Sequence, residues 1–302
     1  MKKNRTLLLL LLCALLATAC RDDDFVAPSF LHVDAIKLVP PTQNAITMEP
    51  GFYTSDIVGA YVVAHYPDAM SVDTLGLFTL PFTVPLLHDG PVDYFEFYPA
   101  IVQSGQVLAM PFYTFYNRIR ISDTTVSSGD TLRLDTLATT YNITRNDVLM
   151  YEMFEPTEGS LLFDSAMLWR PHSPEEACSG YGYGYVPVVD TVPSVSFSID
   201  RDFYVTDATK LLYLEMDVQT DVEFEVYMVS SVLSGSNTTR MSVMRVYKND
   251  KWTHLYINLG RTWAYFNYNP QFRITFSTLN LNGIEGELRM DNVRLLTTNV
   301  VL

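Results

Sequence analysis

Seven residues, Ser179-Gly180-Tyr181-Gly182-Tyr183-Gly184-Tyr185, put three phenol rings at alternate positions with almost no side-chain bulk between them. Rings carried on small residues stack on sugars or on partner side chains at low entropic cost. Tyr181, Tyr183 and Tyr185 are therefore candidate ligand contacts in a flexible loop, and Trp252, Trp263, Tyr265 and Tyr268 add rings on another segment. The competing reading is structural: a chain that is 13% aromatic has many rings with which to plug the ends of a fold. Catalytic signatures point nowhere. There is no His-Glu-x-x-His helix, no phosphate-cradling glycine loop ending in Gly-Lys and no Gly-x-Ser-x-Gly elbow. Histidines 32, 65, 88, 172 and 254 lack metal-ligand spacing. Carboxylates on distant strands can still meet, so sugar hydrolysis is left open, but the expectation is a protein that is not an enzyme and has no cofactor. Cys178 has Glu175 and Glu176 beside it, which raise rather than lower a thiol pKa.

The beginning of the chain supplies an address. Lys2, Lys3 and Arg5 precede an apolar run from Leu7 to Leu16, then Ala17, Thr18, Ala19 and Cys20. The run is too short to span a bilayer and has the flanks of a secretory leader. It resembles a bacterial lipoprotein signal, although most such signals carry leucine where Ala17 stands. The resemblance implies cleavage of residues 1–19 and acylation of Cys20, so that the partner of the chain terminus is outer-membrane lipid. Arg21, Asp22, Asp23 and Asp24 resemble the acidic export signal of Bacteroidetes lipoproteins, which implies display on the cell exterior; the plainer reading is a solvated linker. Of three cysteines, Cys13 leaves with the leader and Cys20 carries the lipid, so Cys178 stands alone and an intrachain disulfide is not expected. Stability must come from buried apolar surface. A formal net charge of −14 repels nucleic acid and anionic membrane, so a nucleic-acid partner is excluded.

These features must be positioned by β-structure. The fold class expected is all-β: two antiparallel β-sandwich domains, the first Ig- or transthyretin-like and the second a jelly roll. Residues 20–32 are a lipidated tether, 33–143 the first sandwich and 146–302 the second. In the first, Pro40-Pro41, Pro50-Gly51, Asp89-Gly90 and Ser128-Gly129-Asp130 punctuate short runs rich in Val, Ile, Tyr, Phe and Thr. Their spacing predicts about seven strands. Pro81 and Pro85 forbid a central ladder position, so their strand should lie at an edge or carry a bulge. The order Gly59–Val63, Gly76–Pro81, Val84–Leu87, Phe97–Ile101 and Pro111–Tyr116 resembles the small PEGA-like or transthyretin-like sandwich of Bacteroidetes lipoproteins. Such a module, next to the anchor, reads as a spacer or docking unit.

The second domain is carried by alternation. Leu214, Met216 and Val218 alternate with Glu215, Asp217 and Gln219, and Val222, Phe224, Val226 and Met228 with Glu223, Glu225 and Tyr227. Leu255, Ile257 and Leu259 alternate with His254, Tyr256 and Asn258. Period two predicts strands with one face in a core and one in water. Paired as a tight hairpin, the first two runs would oppose Asp217 to Glu223 and Glu215 to Glu225, which is destabilising. Different sheets, an intervening basic strand (Arg245 and Lys248 are candidates) or a cation would each resolve this. Tyr151–Glu155, Lys251–Leu259 and Leu288–Leu295 resemble, in that order, the jelly rolls of carbohydrate-binding modules. That resemblance implies that the first and last strands pair. It also implies a structural calcium between Glu152 or Glu155 and Asp291, against the reading that Asp291 caps the chain or pairs with Arg289 or Arg294.

Six Asp-Ser/Thr motifs, with acceptors Thr74, Thr124, Thr131, Thr136, Ser165 and Thr191, resemble the O-glycosylation signal of Bacteroidetes and place Thr124, Thr131 and Thr136 in exposed turns. The function expected is a non-enzymatic binding or structural subunit of a cell-envelope assembly, with an envelope protein as partner. The alternative is a carbohydrate-binding lipoprotein that takes a glycan on the exposed rings of the jelly roll.

Overall fold

A computed structural model describes residues 27–41, 50–67, 72–86, 92–106, 108, 110–155, 163–164, 166–171, 178–192, 194–231, 238–279, 283 and 285–299. Cys20, the acidic patch at 21–24 and Ser165 lie outside the described residues. Seven strands form the first sandwich: β1 (Ser29–Leu38), β2 (Gly59–His65), β3 (Val72–Thr79), β4 (Phe82–Leu86), β5 (Val92–Ala100), β6 (Ile119–Thr124) and β7 (Thr131–Thr139). One sheet has the order β4-β1-β7 and the other β3-β2-β5-β6. Between them pack Leu31, Val33, Val62, Ala64, Phe95 and Phe97. These come from alternate positions of their strands, as one-sided burial requires. Strand β4 pairs with β1 and ends its sheet, with Pro85 opposite Phe30, so the two prolines sit at an edge. One pair departs from the antiparallel pattern: β1 runs parallel to β7. They are the first and last strands of this sandwich, and the five between them supply the long crossover that a parallel pair needs.

The second sandwich begins with β8 (Val148–Glu152), β9 (Leu168–Pro171), β10 (Gly182–Val188), β11 (Ser196–Ser198), β12 (Phe203–Tyr204) and β13 (Lys210–Thr220). It continues through β14 (Glu223–Ser231), β15 (Thr238–Val246), β16 (Asn249–Asn258), a short helix α1 (Gly260–Tyr265), β17 (Gln271–Leu279) and β18 (Gly286–Asn299). One sheet has the order β16-β13-β18-β10-β9, with β8 also on β18; the other has β11-β17-β14-β15, with β12 on β17. The first and last strands do pair, with Glu152 opposite Val293. Leu214, Met216, Val218, Phe224, Val226, Met228, Ile257, Ile274 and Phe276 fill the core.

The acidic alternation resolves because β13 and β14 lie in different sheets. Arg245 also reaches Glu225 at 3.1 Å. The expectation that Glu215, Asp217, His254 and Tyr256 face water is corrected: all four are buried. The first sandwich covers that face of the second.

A second correction concerns the tyrosine segment, which is a strand rather than a loop from Gly182 onward. Its glycines have a packing reason. A Cβ on Gly184 would lie 2.3 Å from the ring of Phe154 and 2.8 Å from the sulfur of Met167. Phe154 itself sits at φ 56°, a strained region for a bulky residue, held there by its backbone N–H donating to Glu152 Oε1 at 2.8 Å. The Gly184→Ala variant should therefore lose about 1–3 kcal/mol through overpacking. Calorimetry should read this as a Tm lower by roughly 2–10 °C; an unchanged Tm would contradict this packing.

Candidate functional site

The seam between the sandwiches is built on one buried arginine. Arg294 of β18 is fully buried, and its Nε donates to Glu215 Oε2 at 2.6 Å. Its other nitrogens donate to the carbonyls of Phe52 and, at 2.7 Å, Thr54, both in the segment that links β1 to β2. The hydroxyls of Tyr113 and Tyr141 close on the same Glu215 carboxylate, that of Tyr141 at 2.7 Å. Around this lies an aromatic seal. Tyr113 packs edge-on against Tyr213 and Tyr256, and the hydroxyls of Tyr116 and Tyr256 are 2.8 Å apart. Gly51 fits here because a Cβ would lie 2.2 Å from Asn292 Oδ1 and 2.6 Å from Ser179 Oγ.

His254 continues the network. Its Nδ1 is 2.8 Å from Asp217 Oδ1 and its Nε2 is 3.4 Å from Glu215 Oε2. Burial opposes charge on the imidazole, as does Arg294, but the two carboxylates outweigh them and raise its pKa. Burial likewise would push Glu215 up, yet Arg294 and His254 hold it at about 2; Asp217 is held at about 2 by His254 against the same cost. Asp291 goes the other way. Burial and the neighbouring Asp217 push it well above the carboxylate range. Burial also pushes the Cys178 thiol up, with Asp217 and Asp291 adding to it, so this cysteine is not an activated nucleophile.

A cleft of about 530 Å³ opens above this network, a size suited to a small ligand or a few sugar units. One wall is Lys37, Tyr53, Thr54, Ser55 and Asp56 from the first sandwich, and the other is Cys178, Trp252 and Thr253 from the second, with Asp217 and His254 also lining it. Trp252 is half-buried and is braced edge-on by Tyr183 at 6.0 Å. The arrangement combines a fixed indole with hydroxyls and charges of both signs.

The residues anticipated from sequence are distributed differently. Trp252 reaches the cleft. Tyr183 is only 1% exposed and acts as its brace, which corrects its reading as an exposed ring. Tyr185 is half-buried and Tyr181 is 69% exposed. Trp263 is buried, its indole N–H donating to the Asn269 carbonyl at 2.8 Å, while Tyr265 and Tyr268 are exposed.

The three carboxylates expected to hold calcium each accept backbone N–H groups. Glu152 accepts from the Phe154 backbone, Glu155 from the Tyr181 backbone at 2.9 Å, and Asp291 from the backbones of Ser179 and Asn292. Among the described residues no group of three or more His, Cys, Asp or Glu is placed to hold a metal ion. Nor do the arginines serve Asp291: Arg289 is engaged by Glu287 and Arg294 by Glu215. Thr74 and Thr136 are exposed but lie within strands, and Thr131 opens one. Thr124 ends β6 half-buried, so none of Thr124, Thr131 and Thr136 is in a turn. Thr191 is in an exposed turn.

No protein-family model and no curated protein matches this chain. Solved structures are similar over half of it. A variant of a family 29 carbohydrate-binding module complexed with mannohexaose shares 12% identity, over 50% of this chain and 92% of that one, at a TM-score of 0.32. A second variant of that module, complexed with cellulohexaose, shares 11% identity over the same shares, at 0.31. The family 22 module and catalytic module of xylanase 10B from Clostridium thermocellum, complexed with xylohexaose, share 11% identity over 51% of this chain and 29% of that one, at 0.36.

The buried charges set the pH dependence of stability. Glu215 and Asp217 have folded pKa values below their usual ones, so their contribution is present above about pH 4.5 and is lost as pH falls toward about 2. For Glu215 this is on the order of 3 kcal/mol. His254 has a raised folded pKa, so its contribution is present below about pH 6.5 and is lost as pH rises through the folded value. Asp291 opposes the acid limb, because it costs stability above its ordinary range. Denaturant midpoints from pH 3 to 9 should fall at both ends. His254→Gln should flatten the alkaline limb; an alkaline limb as steep as that of wild type would sink this assignment.

Proposed function

We propose that the protein binds a glycan in the cleft between its two sandwiches, displayed by the acyl chain on Cys20 at the bacterial surface. The observation that carries this reading is the composition of the cleft. An indole fixed by a neighbouring ring loses little entropy when the apolar face of a pyranose stacks on it. Lys37, Asp56, Ser55 and Thr253 supply the donors and acceptors that the rim of sugar hydroxyls requires. The seam beneath is closely packed and hydrogen-bonded, which holds these groups in place without the ligand. The first sandwich is then a wall of the site, which weighs against its reading as a spacer.

The test is affinity electrophoresis through gels that contain single neutral polysaccharides. The wild-type chain should be retarded by at least one. Trp252→Ala should lose that retardation, about tenfold or more in affinity, and Trp252→Phe should keep part of it, with Tm within a few degrees of wild type. Retardation by none of the polysaccharides, together with a discrete large complex of constant partners after mild detergent extraction, would replace the glycan reading with that of an envelope-assembly subunit.

A further inference from the structure

The solvent-facing side of the β3-β2-β5-β6 sheet carries a second cluster, in which the cleft has no part. Tyr61 and His65 on β2, Tyr94, Glu96 and Tyr98 on β5 and Arg120 on β6 occupy its outward positions, while Val62, Ala64, Phe95 and Phe97 fill the core beneath. Register sets Tyr61 opposite Tyr98, His65 opposite Tyr94 and Glu96 opposite Arg120. Tyr94 is the centre of a stack. The imidazole of His65 lies parallel to it at 4.0 Å, and the guanidinium carbon of Arg120 is 3.5 Å from its centroid. β2 and β6 flank β5, so the imidazole and the guanidinium approach that ring from opposite sides.

Glu96 does not neutralise Arg120. It is only 6% exposed; one oxygen is 3.1 Å from Arg118, and the other takes the Tyr98 hydroxyl at 3.0 Å and lies 3.3 Å from His65 Nε2. Among the described residues Arg120 forms no ion pair. Its fork lies over Tyr94 at 3.5 Å and, among the described residues, nothing occupies its N–H edges, which suit a planar or tetrahedral anion. In a chain of net charge −14, this face gathers Arg118, Arg120 and His65 around a single carboxylate. The nearby outward residues Thr74, Leu77 and Ser122 are uncharged. Rings extend the face: Phe112 is 52% exposed and meets Tyr98 at 6.1 Å, and Tyr61 is 36% exposed.

We propose that this face is a second binding site, selective for an acidic saccharide. A carboxylate or sulfate takes the edge of Arg120 in a bidentate bond, and the sugar ring lies on Tyr61, Tyr98 and Phe112. A peptide is disfavoured because β2 and β5 are interior strands whose backbone is already paired on both sides, so strand addition is closed to it here. The site stands independently of the cleft.

Retardation would be compared in polygalacturonate, dextran sulfate, neutral dextran and polyglutamate, at about 0.05 M and about 0.5 M salt. The expected result is retention by polygalacturonate, dextran sulfate or both, weakened by salt, absent in neutral dextran and weak in polyglutamate. Which of the two acidic saccharides is retained identifies carboxylate or sulfate as the anion. Arg120→Gln should weaken that retention about tenfold or more, as loss of a charged bidentate contact does; Trp252→Ala, in the separate cleft, should leave it unchanged. Retention by neither acidic saccharide, equal retention by polyglutamate, or an Arg120→Gln variant that binds as well as wild type would each overturn the proposal. Because Arg120 is exposed, folding of the variant is checked simply by an unchanged Tm.

Discussion

The ion pair between Arg294 and Glu215 is the constraint on which the rest of the structure depends. Neither group reaches water, so each carries a desolvation cost that a poor geometry would leave uncompensated. The geometry is met only when both sandwiches are in place. Arg294 and Glu215 come from paired strands of the second, but two of the guanidinium's partners are carbonyls at 52 and 54, and two of the carboxylate's are Tyr113 and Tyr141. A small slip of one sandwich over the other would strand a charge in an apolar seam. A buried pair of this kind is weak evidence for net stability, but it fixes one docking geometry against its near neighbours.

That docking makes the cleft. The strand pair that places Asp217 and His254 in the seam continues toward Trp252, and the segment that gives Arg294 its carbonyls continues to Ser55 and Asp56. Floor and walls therefore share the atoms that lock the two halves together. A linker-joined spacer would leave this face of the jelly roll in water. The cluster of Leu38, Phe52, Ile101, Tyr113, Phe115, Tyr213, Tyr256 and Leu296 instead forms a third core between the other two.

Much of this was legible in the sequence, and what was not has physical causes. Period two found β13, β14 and β16 and their inward residues, because one-sided burial writes itself directly into alternation. The same pattern misplaced Glu215, Asp217 and His254, since charges on the second face of a strand read as solvated whether water or another domain covers them. A usable signal did exist. Arg294, His254 and two carboxylates fall on strands of one sheet, and Tyr113, Tyr116 and Tyr141 bring three hydroxyls from elsewhere. The prolines at 81 and 85 gave the edge strand correctly because a missing N–H has few places to go. The parallel pairing of β1 and β7 left no trace, as the alternation of a half-buried strand does not depend on its partner's direction. Tyr183 was misread because glycine spacing that makes a loop flexible also makes room for a ring, here that of Phe154 against Gly184.

Strand β5 shows why the first sandwich can wall the cleft and present a separate face at once. Its outward residues Tyr94, Glu96 and Tyr98 build the stacked cationic cluster, and Phe95 and Phe97 are core on its other side. Beyond its end, Ile101 enters the seam and Gln103 accepts the Tyr213 hydroxyl at 2.6 Å. Three environments thus lie along one paired and largely buried run of backbone. Substitution of the exposed Arg120 or Tyr61 on the outward face exchanges surface groups, which ordinarily changes stability by within about 0.5 kcal/mol. It leaves the core and seam contacts of β5 intact. An acidic protein can therefore carry a local excess of cations there without disturbing the buried charges of the seam, because what separates the two is a packed aromatic core and not a hinge.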